Sequence, residues 1–188
     1  MEIKTGEIMQ MEPILDGFFK LRKGFLRVLR LGPDSEKEVF LAHLWPGDYF
    51  PRTMFDELDD YTSVVEGMID SEVEIVNPSP QVLRDVLRSY DGFMSQMSQH
   101  AYNMRHYGAE QRILNHLLYL TTSPIATLQE DGTCAIKIVQ EDLAREVGIL
   151  RATVNRTCKL LQEAGVLRRG FGEILVHIQV FKESDILE

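Results

Sequence analysis

Arginine, asparagine and a small methyl side chain at helical spacing are materials for reading base edges, and RATVNRTCKLLQE, residues 151–163, collects them. Val154, Thr157, Cys158 and Leu161 recur at intervals of three and four, which predicts a helix over Arg151–Glu163 with these residues turned inward. Arg151, Ala152, Asn155, Arg156 and Lys159 then fall on the opposite, exposed side. On such a helix a guanidinium can pair bidentately with O6 and N7 of guanine in the major groove. An asparagine can read an adenine or hold a phosphate, and the Ala152 methyl can touch a thymine methyl. Thr153 and, just upstream, Gln140 belong to the same candidate surface. Arg168 and Arg169, with Lys159, suit phosphates, which position a protein on a duplex without reading its sequence.

Those side chains need a scaffold, and the flanking residues predict one. Gln140–Val147 reads as a short helix with Leu143, Ala144 and Val147 inward and with Glu141 and Asp142 in its first turn, where the helix dipole favours acids. Gly148 permits a tight turn before the second helix, and Gly165 ends that helix. VLRR, the turn GFG and EILVHIQV then predict a β-hairpin, or wing. A small residue at Ala144, a glycine at 148 and a branched anchor at Val154 together describe a winged helix-turn-helix. The alternative is a winged-helix module that contacts protein and binds no specific DNA. The exposed Arg151 and Arg156 favour the DNA reading.

Upstream, the first third predicts strands. GFFKLRKGFLRVLRL is rich in aromatic and branched residues, GPDSEK supplies a turn, EVFLAHLW resumes the strand pattern and WPGDYFP turns again. YTSVVEGMIDSEVEIV reads as two more short strands, closed by Asn77-Pro78 and Pro80. The expectation is a small antiparallel β-roll or sandwich. From Gln81 the period changes, to a short helix VLRDVLRSY and a longer one from about Asp91 to Tyr107. Leu87, Tyr90, Met94, Met97, Ala101, Met104 and Gly108 alternate in steps of three and four, a heptad seam that predicts pairing with a second helix. A further helix, AEQRILNHLLYLTT, should bury Ile113, Leu114, Leu117 and Leu118 and stop at Pro124. A loop, IATLQEDGT, and a short strand, CAIKI, follow. The fold class expected is α+β, in three parts: a β-roll over residues 1–80, a dimerisation helix and linker over 81–108, and the winged helix-turn-helix over 109–188.

Composition narrows the classes. The 188 residues are 44% hydrophobic and 26% charged, with no apolar run long enough to cross a membrane. No leader is read in MEIKTGEIMQMEP, and two cysteines make no disulfide scaffold, so a reducing, cytoplasmic setting is expected. The net charge is −9, yet residues 134–178 hold seven basic side chains against five acidic ones. Such a chain is no general coater of DNA; a local contact is what its charge allows. The five histidines show no HxH or HExxH spacing, so no metal site and no catalytic centre are expected. His43 is a candidate haem ligand, Cys134 a candidate redox sensor at a strand edge, and Cys158 a small core residue.

With these segments in order, the chain resembles the cyclic-AMP receptor protein/fumarate–nitrate regulator family of bacterial transcription factors. KGFLRV, the hairpin into EVFLAHL and PGDYF resemble that family's roll, and QEDLAREVG and RATVNR its DNA-reading motif. The resemblance implies a homodimer on a two-fold symmetric site, Arg151 and Arg156 as base readers, and double-stranded DNA and RNA polymerase as partners. Members that bind cyclic nucleotides follow the Gly-Asp-x-Phe turn with Gly-Glu for the ribose and a later Arg-Ser/Thr for the phosphate. Here Pro51-Arg52-Thr53 follows Phe50, and DELDDYTSVV is acidic where an anion would sit. No cofactor is expected, and the effector is expected to be something other than cyclic AMP, or absent. The N-terminal side of the roll is about twenty residues shorter than usual. Ala152 replaces the acidic residue usual in the recognition helix, and Leu150 the serine usual before it.

Overall fold

The computed structural model describes residues 1–10, 17–32, 38–51 and 62–178. The chain divides into two compact units, Met1–Ala101 and Tyr102–Glu188. In the first, strands β1 (Glu2–Ile3), β2 (Ile8–Gln10), β3 (Phe18–Leu31), β4 (Glu38–Leu44), β5 (Tyr49–Pro51) and β6 (Thr62–Val76) form an antiparallel sheet in the order β1-β6-β3-β4. β2 also pairs with β6, and β5 with β3. Leu21, Leu26, Val28, Phe50, Val65 and Val73 are buried together in one apolar cluster, and β3 is buried without a break from Gly24 to Leu29.

Two elements depart from the sequence reading. YTSVVEGMIDSEVEIV is one strand from Thr62 onward, where two were expected. Gly67, inside this strand, is where the N-terminal hairpin docks: a Cβ there would lie 2.4 Å from the Lys4 carbonyl oxygen. The Gly67 N–H donates to the Glu7 carbonyl, and its own carbonyl accepts from the Gly6 N–H. β1 and β2 themselves, two and three residues long, were not expected. The turn GPDSEK lies almost wholly, and Arg52, Thr53 and most of the acidic stretch after them wholly, outside the described residues.

His43 is fully buried, its ring stacked on Phe25 at 4.5 Å and tilted against Phe40 at 4.7 Å. Its backbone N–H and carbonyl are both held by the Gln96 side chain. Across the sheet, fully buried Arg27 makes a two-pronged contact with Glu66, at 2.9 and 2.8 Å.

Helix α1 runs unbroken over Pro80–His106, where a short helix and a longer one were expected. Gly92 does not end it, because a glycine inside a helix costs only about 1 kcal/mol and no neighbour needs the chain to turn there. Ser79 starts it: its hydroxyl accepts the Val82 N–H at 3.2 Å, and Pro80 occupies the first turn, where its missing N–H costs nothing. Phe93 buries its ring against the roll with Met97 beside it, and the Ser89 hydroxyl accepts the Tyr49 N–H. The seam residues Leu87, Tyr90, Met94, Ala101 and Met104 are exposed or partly so, whereas Met97 is half-buried on the roll. At 100° per residue they lie roughly 100° round the helix from the Ser89–Phe93–His100 stripe, so most of the seam has no partner among the described residues.

The second unit continues with α2 (Ala109–Leu120), β7 (Ala126–Leu128), β8 (Thr133–Ile136), α3 (Gln140–Val147), α4 (Arg151–Glu163), β9 (Leu167–Arg169) and β10 (Ile174–His177). α2 buries Ile113, Leu114, Leu117 and Leu120; the expected Leu118 is half-buried. The strands form a sheet in the order β7-β8-β10-β9, so β8 is an inner strand. Cys134, the second residue of β8, is buried there, and burial pushes its thiol pKa up, away from the reactive thiolate. β7 lies within the segment expected to be loop. No helix among the described residues is long and apolar enough to cross a membrane, and no cluster of three or more potential metal ligands occurs among them.

Candidate nucleic-acid interface

α3 and α4 occupy the ranges their sequence predicts, and the reasons are local. Gly148 adopts a left-handed conformation, φ 64° and ψ 42°, and its N–H donates to the Ala144 carbonyl, closing α3. The Arg112 guanidinium on α2 donates to the Val147 carbonyl at 3.2 Å, satisfying another carbonyl of the last turn. Leu143, Ala144 and Val147 are buried, as are Val154, Thr157, Cys158 and Leu161 on α4, so the inward faces agree with the periodicity residue by residue. The Cys158 thiol is pushed up by burial, as suits a packing residue.

The sequence reading missed one buried contact. Glu146 on α3 is fully buried and lies 2.7 Å from Nε2 of His116 on α2. Nothing in the local pattern marks Glu146 as different from the exposed acid Glu141, since its partner is thirty residues away. The contact fixes α3 against α2 and so helps set the platform beneath α4.

On the outer side, Arg151, Ala152, Asn155, Arg156 and Lys159 are all exposed and Thr153 is half-buried. Arg151 rests 3.2 Å from the Glu141 carboxylate. That pair is well exposed, and such pairs are worth about 0–1 kcal/mol, so a stronger anion or acceptor can displace the carboxylate at little cost. Lys159 stands 3.9 Å from Glu163, a loose contact one turn along. Leu150, which opens α4, is exposed and makes no side-chain cap.

The two wing arginines part company. Neighbouring residues of a strand point to opposite faces, and Arg168 lies beside Glu130 and Asp131, away from α4. Arg169 turns toward α4: its Nε donates to Oε1 of Gln162 at 3.0 Å and its Nη1 to Oδ1 of Asn155 at 2.9 Å. The structure thus ties Arg169 to the recognition-helix surface and leaves Arg168 apart from it. The bond occupies one of the two lone pairs of the Asn155 oxygen and anchors that side chain to the wing. The wing itself is as expected through His177, with Ile174 opposite Arg169 and Val176 opposite Leu167; the end of EILVHIQV, from Gln179, lies outside the described residues.

Between the start of α3, the start of α4 and the wing turn lies an open groove of about 200 Å³. Gln140, Arg151, Arg169, Gly170, Gly172 and Glu173 are among the residues lining it. It gathers on one surface the polar and cationic groups that the sequence distributes over thirty residues.

The comparisons agree with this geometry. The Crp-like helix-turn-helix domain family matches residues 111–179. The transcriptional regulator SdrP of Thermus thermophilus is 28% identical over 174 residues, which cover 89% of this chain and 83% of that protein. The cAMP-activated global transcriptional regulator CRP of Haemophilus influenzae is 24% identical over 77% of this chain and 68% of its own. Among solved structures, a CRP/FNR-family transcriptional regulator from Thermus thermophilus superposes with a TM-score of 0.82 at 23% identity, covering 97% of this chain and 96% of that one. A second CRP-family regulator from the same organism gives a TM-score of 0.81 at 20% identity, over 94% and 91% of the two chains. The chain thus carries a Crp-like helix-turn-helix domain over residues 111–179, is similar along most of its length to transcriptional regulators such as SdrP and CRP, and shares the fold of CRP/FNR-family regulators.

Proposed function

We propose that the protein acts as a homodimer on a two-fold symmetric DNA site, with α4 of each protomer in the major groove. The observation that carries this reading is the exposed surface of α4, where Arg151 and Arg156 flank Asn155 and Ala152 above a fully packed inner face. Among the described residues Arg156 makes no ion pair, and Arg151 has only its weak pair with Glu141. In this reading the two arginines read guanines, the Ala152 methyl meets a thymine methyl, and Asn155 with Lys159 and Arg169 engages phosphates. Thr153 and Gln140 border the same contact.

The dimer reading rests on the uncovered seam of α1, and RNA polymerase and a cytoplasmic setting are carried over from the likeness to those regulators. A mobility shift against a pool of random duplexes tests the DNA reading. A discrete complex enriched on each round of recovery is expected; no shift at micromolar protein overturns it.

We infer further that cyclic AMP is not the effector, and that the protein uses another small molecule or none. An acidic run after Phe50, where a phosphate would have to sit, opposes an anionic ligand. Calorimetry with cyclic AMP should register no binding at micromolar concentrations. A stoichiometry of one site per chain at micromolar affinity would contradict this.

A further inference from the structure

The wing turn carries the most exposed large apolar side chain among the described residues. Phe171 has a relative exposure of 106%, against 78% for Leu150, the next highest. It sits between Gly170 and Gly172, which have no side chains to shield it. Behind it the hairpin is fixed by the Gly170 N–H bond to the Glu173 carbonyl at 2.9 Å and by the β9–β10 ladder. The ring is therefore held out on a supported turn, not carried on a loose tail.

A phenyl ring left in water forgoes the free energy that its burial would release. Isolated exposed apolar residues are common, so exposure alone says little. The position of this one says more. Gly170 and Gly172, on either side of it, line the same groove as Gln140 and Arg151, and Arg169 just before them is bonded to Asn155 on α4. The turn thus borders the surface that faces the duplex. With α4 in the major groove, an element beside it crosses the phosphate backbone and meets the adjoining minor groove. Phosphates offer a phenyl ring nothing, whereas base steps opened from the minor groove accept apolar wedges. The flanking cations Arg151 and Arg169 suit a polyanion, and Glu173 is the one acid lining the groove.

We propose that Phe171 enters the minor groove flanking each half-site and wedges against a base step, favouring flexible pyrimidine–purine steps there. The proposal rests on the DNA-binding reading above and adds a contact outside the sequence read by α4. An apolar contact releases no counterions, so it should leave the salt dependence of binding unchanged.

The test uses the full chain, its selected duplex and 2-aminopurine placed at the flanking step. Wild-type protein should raise the probe's fluorescence by unstacking it. Phe171→Ser should abolish that rise and bind about tenfold more weakly, with the same preferred core sequence and the same salt slope; Phe171→Trp should retain both affinity and signal. Equal affinity and equal fluorescence for wild type and Phe171→Ser overturn the wedge alone. So does a Phe171→Ser variant that binds DNA normally but changes oligomeric state, since the ring then faces another copy of the chain. If wild-type protein enriches no duplex, the DNA-binding reading itself falls.

Discussion

Replacing Leu87 and Met94 together with glutamate should turn the protein into a monomer at micromolar concentration and lower its affinity for a symmetric site by about a hundredfold or more. Both side chains are exposed on α1, 67% and 41%, so neither change empties a core within the protomer. In the dimer the double variant would place four carboxylates in one apolar seam, where like charges cannot be solvated. Met97 and Met104 are less suitable positions. Met97 packs on the roll, and the Met104 thioether end lies where a Cβ on Gly148 would meet it at 3.1 Å, so changing either perturbs the protomer as well. Sedimentation reads the result directly. Without the dimer, each protomer must find its half-site alone, and the gain from linking two recognition helices is lost. A double variant that sediments as a dimer would show that the seam is not the interface.

Arg151→Ala should cost roughly 1–3 kcal/mol on the preferred duplex and flatten preference at one position in each half-site. The Glu141 pair it also breaks is exposed and worth little, so the loss should appear in binding and not in folding. Arg169→Ala should behave differently. It removes the proposed phosphate contact and also the link to Asn155 and Gln162, so binding should weaken on all sequences alike, with the salt slope reduced by about one. Titrating both variants against matched, mutated and random duplexes at several salt concentrations separates the two behaviours.

The recognition unit was legible because its signals are local. Gly148 and Gly165 punctuate α4, and the three-four spacing of Val154, Thr157, Cys158 and Leu161 marks its inner face unambiguously. β1 and β2 were not legible, since strands of two and three residues show no period and exist only because β6 offers them a partner. Gly67 and Gly92 sit inside a continuous strand and a continuous helix, one admitting a neighbouring backbone and the other simply tolerated. Glu146 reads as a solvated acid in sequence, and only the fold supplies His116 beside it. The same holds for the wing: alternation along β9 separates Arg168 from Arg169, but which of them meets α4 depends on how the hairpin packs.

Sequencing the duplexes that the wild-type protein enriches from a random pool tests the central claim, that two copies of α4 read a symmetric site. A two-fold symmetric motif is expected, with half-site centres roughly 10 base pairs apart, one helical turn, containing guanines whose enrichment disappears when the selection is repeated with Arg151→Ala. An enriched pool with no symmetry, or one in which Arg151→Ala selects the same bases as wild type, would contradict it.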